Sequence, residues 1–374
     1  MRRENVATPP QLGYFPHALI SSHSRIHSEV DMEPLSALLQ QKFGRGDLPL
    51  DPMPGGASTR RYFRVAIDDT KTAVAMFVPE GATPEEIQKG ASHSRWPFLE
   101  VRDLLEERGV DVPRILAEDT DNGWLVLEDL GDDTLANFLL RSPSSKTELY
   151  TRAVKDLAAA QKALGSLPEG SVVAARAFDA DLLKWEIDHF KEWGVEARGL
   201  SFSPEDAASF DAIGKRLAAR VAEMPRGFTH RDYQSRNLMV RDDDGKLGLV
   251  WIDFQDALLG PRVYDLVALL NDSYQEFDRA FVESRLDDFA SAANVDAAER
   301  KKIGLEFDLV TVQRKLKDAG RFVFIDRTKK NSSFLKFVTP TIHKVRDALA
   351  RLSADKDMAA LHTLLKRTLP EEFG

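Results

Sequence analysis

No cysteine occurs anywhere in the 374 residues. Disulfides, thiolate zinc centres and cysteine nucleophiles are therefore excluded as sources of stability or chemistry. Positive charge is also in short supply, with 51 lysines and arginines against 60 acidic side chains and a formal net charge of −9. Binding to a phosphate backbone in general needs surplus cations to replace condensed counterions, so no nucleic-acid partner is expected. A single nucleotide remains compatible if a cation accompanies it. No run of 18 apolar residues exists, and Arg2-Arg3 is not followed by an apolar segment. Neither a membrane span nor a secretion signal is read here, and a cytoplasmic location is expected. With 22 glycines, 18 prolines and 43% hydrophobic residues, collagen-like and low-complexity classes fail, and an ordinary globular protein remains.

Residues 1–31 hold three of the eight histidines, three prolines and five serines or threonines. They show no period of about 2 or 3.6 residues that could bury a face, so a disordered leader is expected, with Met32 a candidate start. A helix follows over 33–42, with Leu35, Leu38 and Leu39 at core spacing. Short β-type runs over 61–67, 72–78 and 124–127 are broken by turn residues. One helix interrupts them, opened by Pro97, striped by Phe98, Val101, Leu104 and Leu105, and ended by Gly109. After Gly131 amphipathic stretches lie near 148–164, 179–193, 204–223, 262–276, 278–292, 306–324 and 354–367. A β-like island from Phe228 to Phe254 breaks the helical series. The pattern predicts an α+β fold of two lobes around a cleft: a small β-rich N-lobe over 32–130, a connector at Glu128-Asp129-Leu130, and a large, mainly helical C-lobe over 131–374.

The chemistry concentrates in His230-Arg231-Asp232-Tyr233-Gln234-Ser235-Arg236-Asn237, followed sixteen residues after Asn237 by Asp253 in the run Leu249-Val250-Trp251-Ile252-Asp253-Phe254. An Asp and an Asn five apart on a tight loop can aim two oxygens into one cleft. An acid at the end of the next hairpin then completes a site for a hard cation. Mg²⁺ favours such a site, a few protein oxygens supplemented by substrate phosphates and water. With Asn237 and Asp253 as metal ligands, Asp232 can accept a hydroxyl's hydrogen bond.

This H-x-D-x-x-x-x-N pattern with a downstream Ile-Asp-Phe resembles the catalytic loop and magnesium-binding acid of the protein-kinase-like phosphotransferases. Only eleven residues separate Asp253 from Asp265, too few for the activation segment of a protein kinase. The short connection and the Tyr264-Asp265-Leu266 helix start are similar to small-molecule phosphotransferases of the aminoglycoside and choline kinase type. Three further runs resemble the bacterial anomeric sugar kinases, which phosphorylate the 1-hydroxyl of N-acetylmuramate and N-acetylglucosamine in cell-wall recycling. They are Gly55-Gly56-Ala57-Ser58-Thr59-Arg60-Arg61-Tyr62-Phe63-Arg64, the loop His230 to Met239, and Ile252-Asp253-Phe254-Gln255-Asp256-Ala257 with Gly260-Pro261. The likeness spans roughly residues 33–345. It implies a two-lobed protein-kinase-like fold, a nucleotide-binding N-lobe, a catalytic and sugar-binding C-lobe, ATP and Mg²⁺ as cofactors, and a small sugar as the partner, with no obligate protein partner.

The same resemblance implies roles. ATP is expected under the N-lobe with adenine at the backbone of Glu128 to Leu130, and Asp232 is the expected base toward the anomeric hydroxyl. Ser58, Thr59, Arg60, Arg61 and Arg64 are phosphate-binding candidates, although strand alternation sends Arg60, Tyr62 and Arg64 to one face and Arg61 and Phe63 to the other. In the strand that usually presents a phosphate-binding lysine, Met76 or Phe77 occupies that place and Lys71 points away. Either an arginine of the preceding loop substitutes, which is favoured, or the chain binds nucleotide without catalysis. Glu100 is then left as surface charge. His230 is expected to bond within its loop, Arg231 to anchor Asp265 or another acid, and Asp265 to cap its helix or fix the loop. Arg236 and Gln234 face the γ-phosphate or solvent. Arg236, Asp256 and Arg314 are substrate candidates; Arg314 with Lys317 and Arg321 could hold a lactyl carboxylate, although a solvated helix face is the plainer reading. For Trp185 and Trp193 core packing is favoured over stacking on a sugar. Another acceptor (a different hexose, an aminoglycoside, choline or an amino alcohol) and a nucleotide-binding pseudokinase remain as alternatives.

Overall fold

The computed structural model describes residues 30–46, 48–53, 60–79 and 95–373. Apart from Val30 and Asp31, the expected leader lies outside the described residues, as do Ser58 and Thr59. Helix α1 (Glu33–Phe43) buries Leu35 and Leu39 and ends on Gly44 in the left-handed region. Strands β1 (Leu50–Pro52), β2 (Arg61–Ala66), β3 (Thr72–Phe77), β4 (Ile115–Asp119) and β5 (Trp124–Glu128) form an antiparallel sheet in the order β1-β2-β3-β5-β4. Alternation divides its side chains between two faces. Phe63, Val65, Ala73, Ala75, Trp124 and Val126 pack with α1, whereas Met76, Leu125 and Leu127 join the main core. On that second side lies α2 (Pro97–Glu107), whose Phe98 stacks on Phe254 with ring centroids 5.1 Å apart. Strands β1 and β4 lie outside the sequence expectation because β1 is three residues long and β4 is mostly half-buried, so neither carries an alternating stripe.

The remainder is mainly helical. Helices α3 (Leu135–Arg141), α4 (Lys146–Ala163), α5 (Ala180–His189) and α6 (Pro204–Ala222) precede two small β-ribbons. These pair β6 (Arg226–Thr229) with β9 (Leu258–Pro261) and β7 (Leu238–Asp243) with β8 (Lys246–Trp251). Helices α7 (Tyr264–Leu270), α8 (Arg279–Ala292), α9 (Ala297–Lys329), α10 (Val338–Arg351) and α11 (Lys356–Thr368) complete the lobe. A two-lobed α+β architecture results, with a small antiparallel sheet and a larger, mainly helical lobe, as the sequence predicts.

Several helices depart from the expectation, and α3, too short to show a stripe, lies outside it. The stretch expected to be helical over 262–276 is helical only over Tyr264–Leu270. Asp272 accepts the Tyr274 amide at 2.9 Å, a local bond that competes with the helical ladder. Helix α9 runs well beyond the expected 306–324, because its first turns are polar and their start is set by a cap: Asp296 accepts from the Glu299 amide. Helix α10 lies outside the expectation altogether. Its Pro340 reads as a breaker, yet it stands in the first turn, where its missing N–H costs no helical bond.

The connector is clamped to the N-lobe. Asp129 accepts from Arg64 at 2.6 Å, from the Thr72 hydroxyl at 2.6 Å and from the Gly131 amide at 2.9 Å. The same guanidinium reaches Asp132 at 2.8 Å. Burial opposes ionisation of Asp129, but these partners hold its carboxyl below the usual range.

Helix α9 also meets the end of α5, where the chain widens into a π-type turn over Phe190–Val195. A Cβ on Gly320 would stand 2.8 Å from the His189 carbonyl oxygen and 3.0 Å from the Phe190 Cα. Both are backbone atoms that cannot swing aside. The Gly320→Ala variant is expected to lose about 1–3 kcal/mol in denaturant unfolding, despite alanine's helix advantage of about 1 kcal/mol. An unchanged or raised midpoint would refute the close approach.

Candidate active site

The loop 230–237 joins β6 to β7, and two buried carboxylates fix its backbone. Asp265, in the first turn of α7, accepts the amides of His230 at 2.6 Å and Arg231 at 3.0 Å. Of the two expected roles for Asp265, fixing the loop is therefore the one observed. These bonds hold Arg231 at φ 76°, a left-handed conformation rare outside glycine. Its guanidinium lies over the Phe178 ring, 5.6 Å from the centroid. Burial pushes the Asp265 carboxyl up to about 7, against the two amides and Arg314, which favour the anion.

Further along the loop, buried Asp272 accepts both the Ser235 amide at 3.1 Å and the Ser235 hydroxyl. Asp272 is absent from the residues singled out in the sequence. Its signal lies in Asn271-Asp272-Ser273, a cluster of side chains that bond locally just past an apolar helix. His230 packs against the Tyr233–Trp251 pair, with both centroids 5.8 Å away. Its Nε2–H donates to the Ile252 carbonyl at 3.0 Å, so the expected bond within the loop is replaced by one to the segment that carries Asp253. Burial pushes this imidazole down to about 4, so the ring is neutral near pH 7.

The loop brings the three polar residues of the motif together. The Asn237 amide donates to the Asp232 carbonyl at 2.9 Å and stands 3.5 Å from the Asp253 carboxylate. Asp253, at φ 63°, is the second non-glycine residue of this region in the left-handed well. Gln255 donates to Asp253 at 2.9 Å and to Asp256 at 3.2 Å. Burial, and then the negative charge of Asp232 and Asp256, pushes the Asp253 carboxyl up. Asp232 shifts the opposite way. Enclosure opposes its ionisation, but Arg314, Lys317 and Arg231 outweigh this and hold it below the usual range. Arg314 Nη2 lies 3.3 Å from Asp232 Oδ1.

This donor set fits a hard cation. Asp253 carries negative charge that its neighbours oppose, and Asn237 can add an amide oxygen. Among the described residues no group of three or more His, Cys, Asp or Glu is arranged to hold a metal. A Mg²⁺ ion at Asn237 and Asp253 would therefore take its other ligands from water and phosphate, as this ion usually does.

The basic candidates separate. Arg60 brings Nη1 to 3.7 Å from Asp253 Oδ1. Arg61 shares the Phe63 side of β2, which packs with α1, so alternation takes it away from the acids. Arg64, expected at phosphate, is engaged by Asp129 and Asp132. Met76 is fully buried in the main core at the lysine position. Glu100, expected to be mere surface charge, accepts the Val172 amide at 2.5 Å and so ties α2 to the larger lobe.

A cleft of about 350 Å³ opens beside Asp232, Asn237 and Asp253. Its far wall comes from α5 and α9. The solvated-face reading of α9 fails here: Gln313 and Arg314 are buried, and Arg314, Lys317 and Arg321 line the cleft. Gln313 turns to Glu186 at 2.8 Å. Arg236 borders the cleft and lies over the Tyr274 ring, 3.6 Å from its centroid. Asp256 does not line it; it stays beside Gln255. Trp193 packs on Phe324, as expected, whereas Trp185 is 44% exposed and lines the cleft. A separate crevice of about 210 Å³ runs under the connector, bordered by Glu128, Leu130, Met239 and Val250. The Glu128 carboxylate is held there by Arg114 at 3.2 Å and Arg241 at 3.0 Å, so only the backbone of this residue could meet a ring edge.

Residues 50–300 match the model of the phosphotransferase enzyme family. The chain is 33% identical over 318 residues to an N-acetylmuramate/N-acetylglucosamine kinase of Pseudomonas aeruginosa, covering 82% of this chain and 87% of that one. It is 31% identical over 346 residues to the protein of the same name from Neisseria meningitidis, covering 89% and 95%. Among solved structures it is similar to a microcompartment-associated aminopropanol kinase, with TM-score 0.59, 14% identity and coverage of 87% of this chain and 98% of that one. The gentamicin complex of APH(2″)-IIa gives TM-score 0.55 and 15% identity, covering 84% and 96%. At these identities the solved structures speak for the fold.

A histidine that stays neutral when folded links stability to pH. Between about 4 and 6.5 the unfolded chain takes up a proton that folded His230 refuses, so this residue's contribution rises with pH through that window and is lost below it. A His230→Gln variant is expected to unfold with a pH dependence flatter than wild type between pH ~4 and ~6.5, by about 1–3 kcal/mol across the window. Parallel stability curves would contradict a buried neutral ring.

Proposed function

The chain belongs to the phosphotransferase enzyme family, and on that premise we propose that it is an ATP-dependent kinase for the anomeric hydroxyl of an amino sugar, N-acetylmuramate or N-acetylglucosamine. The observation that carries this reading is the convergence of Asp232, Asn237 and Asp253 on one cleft, in a chain whose curated relatives bear that substrate name over most of their length.

In this mechanism Asp232 accepts the hydrogen bond of the sugar's 1-hydroxyl. The sugar oxygen attacks the γ-phosphorus, the bond to the departing ADP oxygen breaks with its electron pair, and the proton passes to Asp232. A carboxylate held below its usual pKa is a weak base, but an anomeric hydroxyl is more acidic than an ordinary alcohol. Positioning and charge neutralisation then supply most of the acceleration. Arg60 serves as the phosphate-facing cation in place of lysine, which its approach to Asp253 supports. Asn237 and Asp253 are the residues that would hold Mg²⁺, which would supply neutralisation of phosphate charge. The backbone of Glu128 to Leu130 meets the adenine, a role supported by the crevice under the connector.

Two competing readings are less well supported. The pseudokinase rests on the missing lysine, for which Arg60 offers a replacement charge beside Asp253. A cationic acceptor such as choline or an aminoglycoside would enter a cleft where Arg231, Arg236, Arg314, Lys317 and Arg321 offset Glu186, Asp232, Asp253 and Asp318, without the acid excess that would attract it.

An acceptor panel of N-acetylglucosamine, N-acetylmuramate, glucose, choline and kanamycin, read by ADP release, tests the proposal. Turnover is expected with the amino sugars, and phosphorus NMR should find an acid-labile, base-stable sugar 1-phosphate. A 6-phosphate would refute the anomeric assignment, and ATP binding without turnover on any acceptor would favour a regulatory protein. Asp232→Asn and Asp253→Ala should each lower kcat by ~100-fold or more while leaving thermal unfolding near wild type. A rate within a few-fold of wild type in either variant would remove that residue from the chemistry.

A further inference from the structure

Trp185 is a large aromatic side chain left 44% exposed. A single apolar residue on a convex surface would need no explanation. This one lies in a concave wall and shares a cleft with Asp232. It is also braced by a neighbour that borders the same cleft. One turn later on α5, His189 stacks on it with centroids 5.6 Å apart and planes inclined by 29°. His189 is itself buried and packs against Trp193 at 6.2 Å and Phe324 at 5.4 Å. The indole is therefore braced at the cleft wall by a packed aromatic cluster, with little side-chain freedom left to lose when a ligand arrives.

A pyranose ring matches such a shelf. One of its faces presents mainly C–H groups, and its rim presents hydroxyls. An aromatic surface can cover the C–H face while polar groups meet the rim, and Lys317 and Asp318 line the same cleft. A quaternary ammonium could also lie on an indole. The cleft lining sets five cations, Arg231, Arg236, Arg314, Lys317 and Arg321, against four carboxylates, Glu186, Asp232, Asp253 and Asp318, a balance that gives a cationic ligand no net attraction.

We propose that Trp185, stacked on His189, is the acceptor subsite of this cleft, covering the C–H face of a pyranose and presenting its 1-hydroxyl to Asp232. The inference rests on the amino-sugar kinase reading above and adds to it the group that recognises the ring. Trp185 takes no part in proton transfer, so its loss falls on sugar binding and spares the chemical step.

The test uses the full-length enzyme. Titration with N-acetylglucosamine or N-acetylmuramate without nucleotide should change the intrinsic fluorescence of wild type. In Trp185→Phe that response should vanish although the other four of the five tryptophans remain. In steady-state assays Trp185→Ala should raise the KM for the sugar roughly tenfold, with the KM for ATP and kcat within about threefold, and Trp185→Phe should recover most of the loss. An unchanged sugar KM in Trp185→Ala, an equal rise in both KM values, or a fluorescence response to choline but to neither sugar would overturn the proposal. Wild type that turns over no amino sugar would remove the kinase reading and this inference together. Turnover with an unaltered sugar KM in Trp185→Ala removes the inference alone.

Discussion

The two amide hydrogen bonds that Asp265 accepts from His230 and Arg231 are the constraint on which the site depends. A left-handed Arg231 is a costly conformation for a residue with a side chain. It persists because a buried carboxylate at the start of α7 satisfies both peptide groups at once. Without that turn the loop would leave β6 in another direction, and Asp232 would no longer lie beside Asn237 and Arg314. Asp272 repeats the device at Ser235, so two acids from one α7 region hold the loop at both its start and its middle.

Charge is distributed across the cleft in an ordered way. Asp232 sits among cations that favour its anion, while Asp253 sits among acids that oppose its own. Two carboxylates from neighbouring segments are thus biased in opposite directions, one toward ionisation and the other, chiefly by burial, against it. The N-lobe supplies Arg60 at the acid-rich side, and α9 supplies Arg314 at the other. The clamp of Arg64 on Asp129 ties the connector to the N-lobe sheet.

Local signals in the chain were strong where the chemistry is local. The motif from His230 to Asn237 and the Asp253 run could be read directly, because their spacing is a property of one tight turn and one hairpin. The stripe of α2 and the alternation of β2 and β3 were equally legible. The α9 face was misread as solvated because a buried arginine and an exposed one give the same periodic pattern; burial of Arg314 depends on Tyr264, 4.6 Å from its guanidinium to the ring centroid, and on Asp232. Arg64 and Glu100 were misassigned for a related reason. Their partners, Asp129 and the Val172 amide, are distant in sequence, and nothing in the local pattern announces them.

Sequence alone determined the lobe order, the polar motif and the absence of room for a long activation segment, since each follows from residue types at fixed separations along one strand, turn or helix. Tertiary structure decided which of several similar cations approach the acids, that Trp185 faces the cleft while Trp193 is packed against Phe324, and that Asp265 grips the loop backbone. These outcomes depend on how distant helices pack, and packing is set by the shape and burial of the whole core, which no short window of residues encodes.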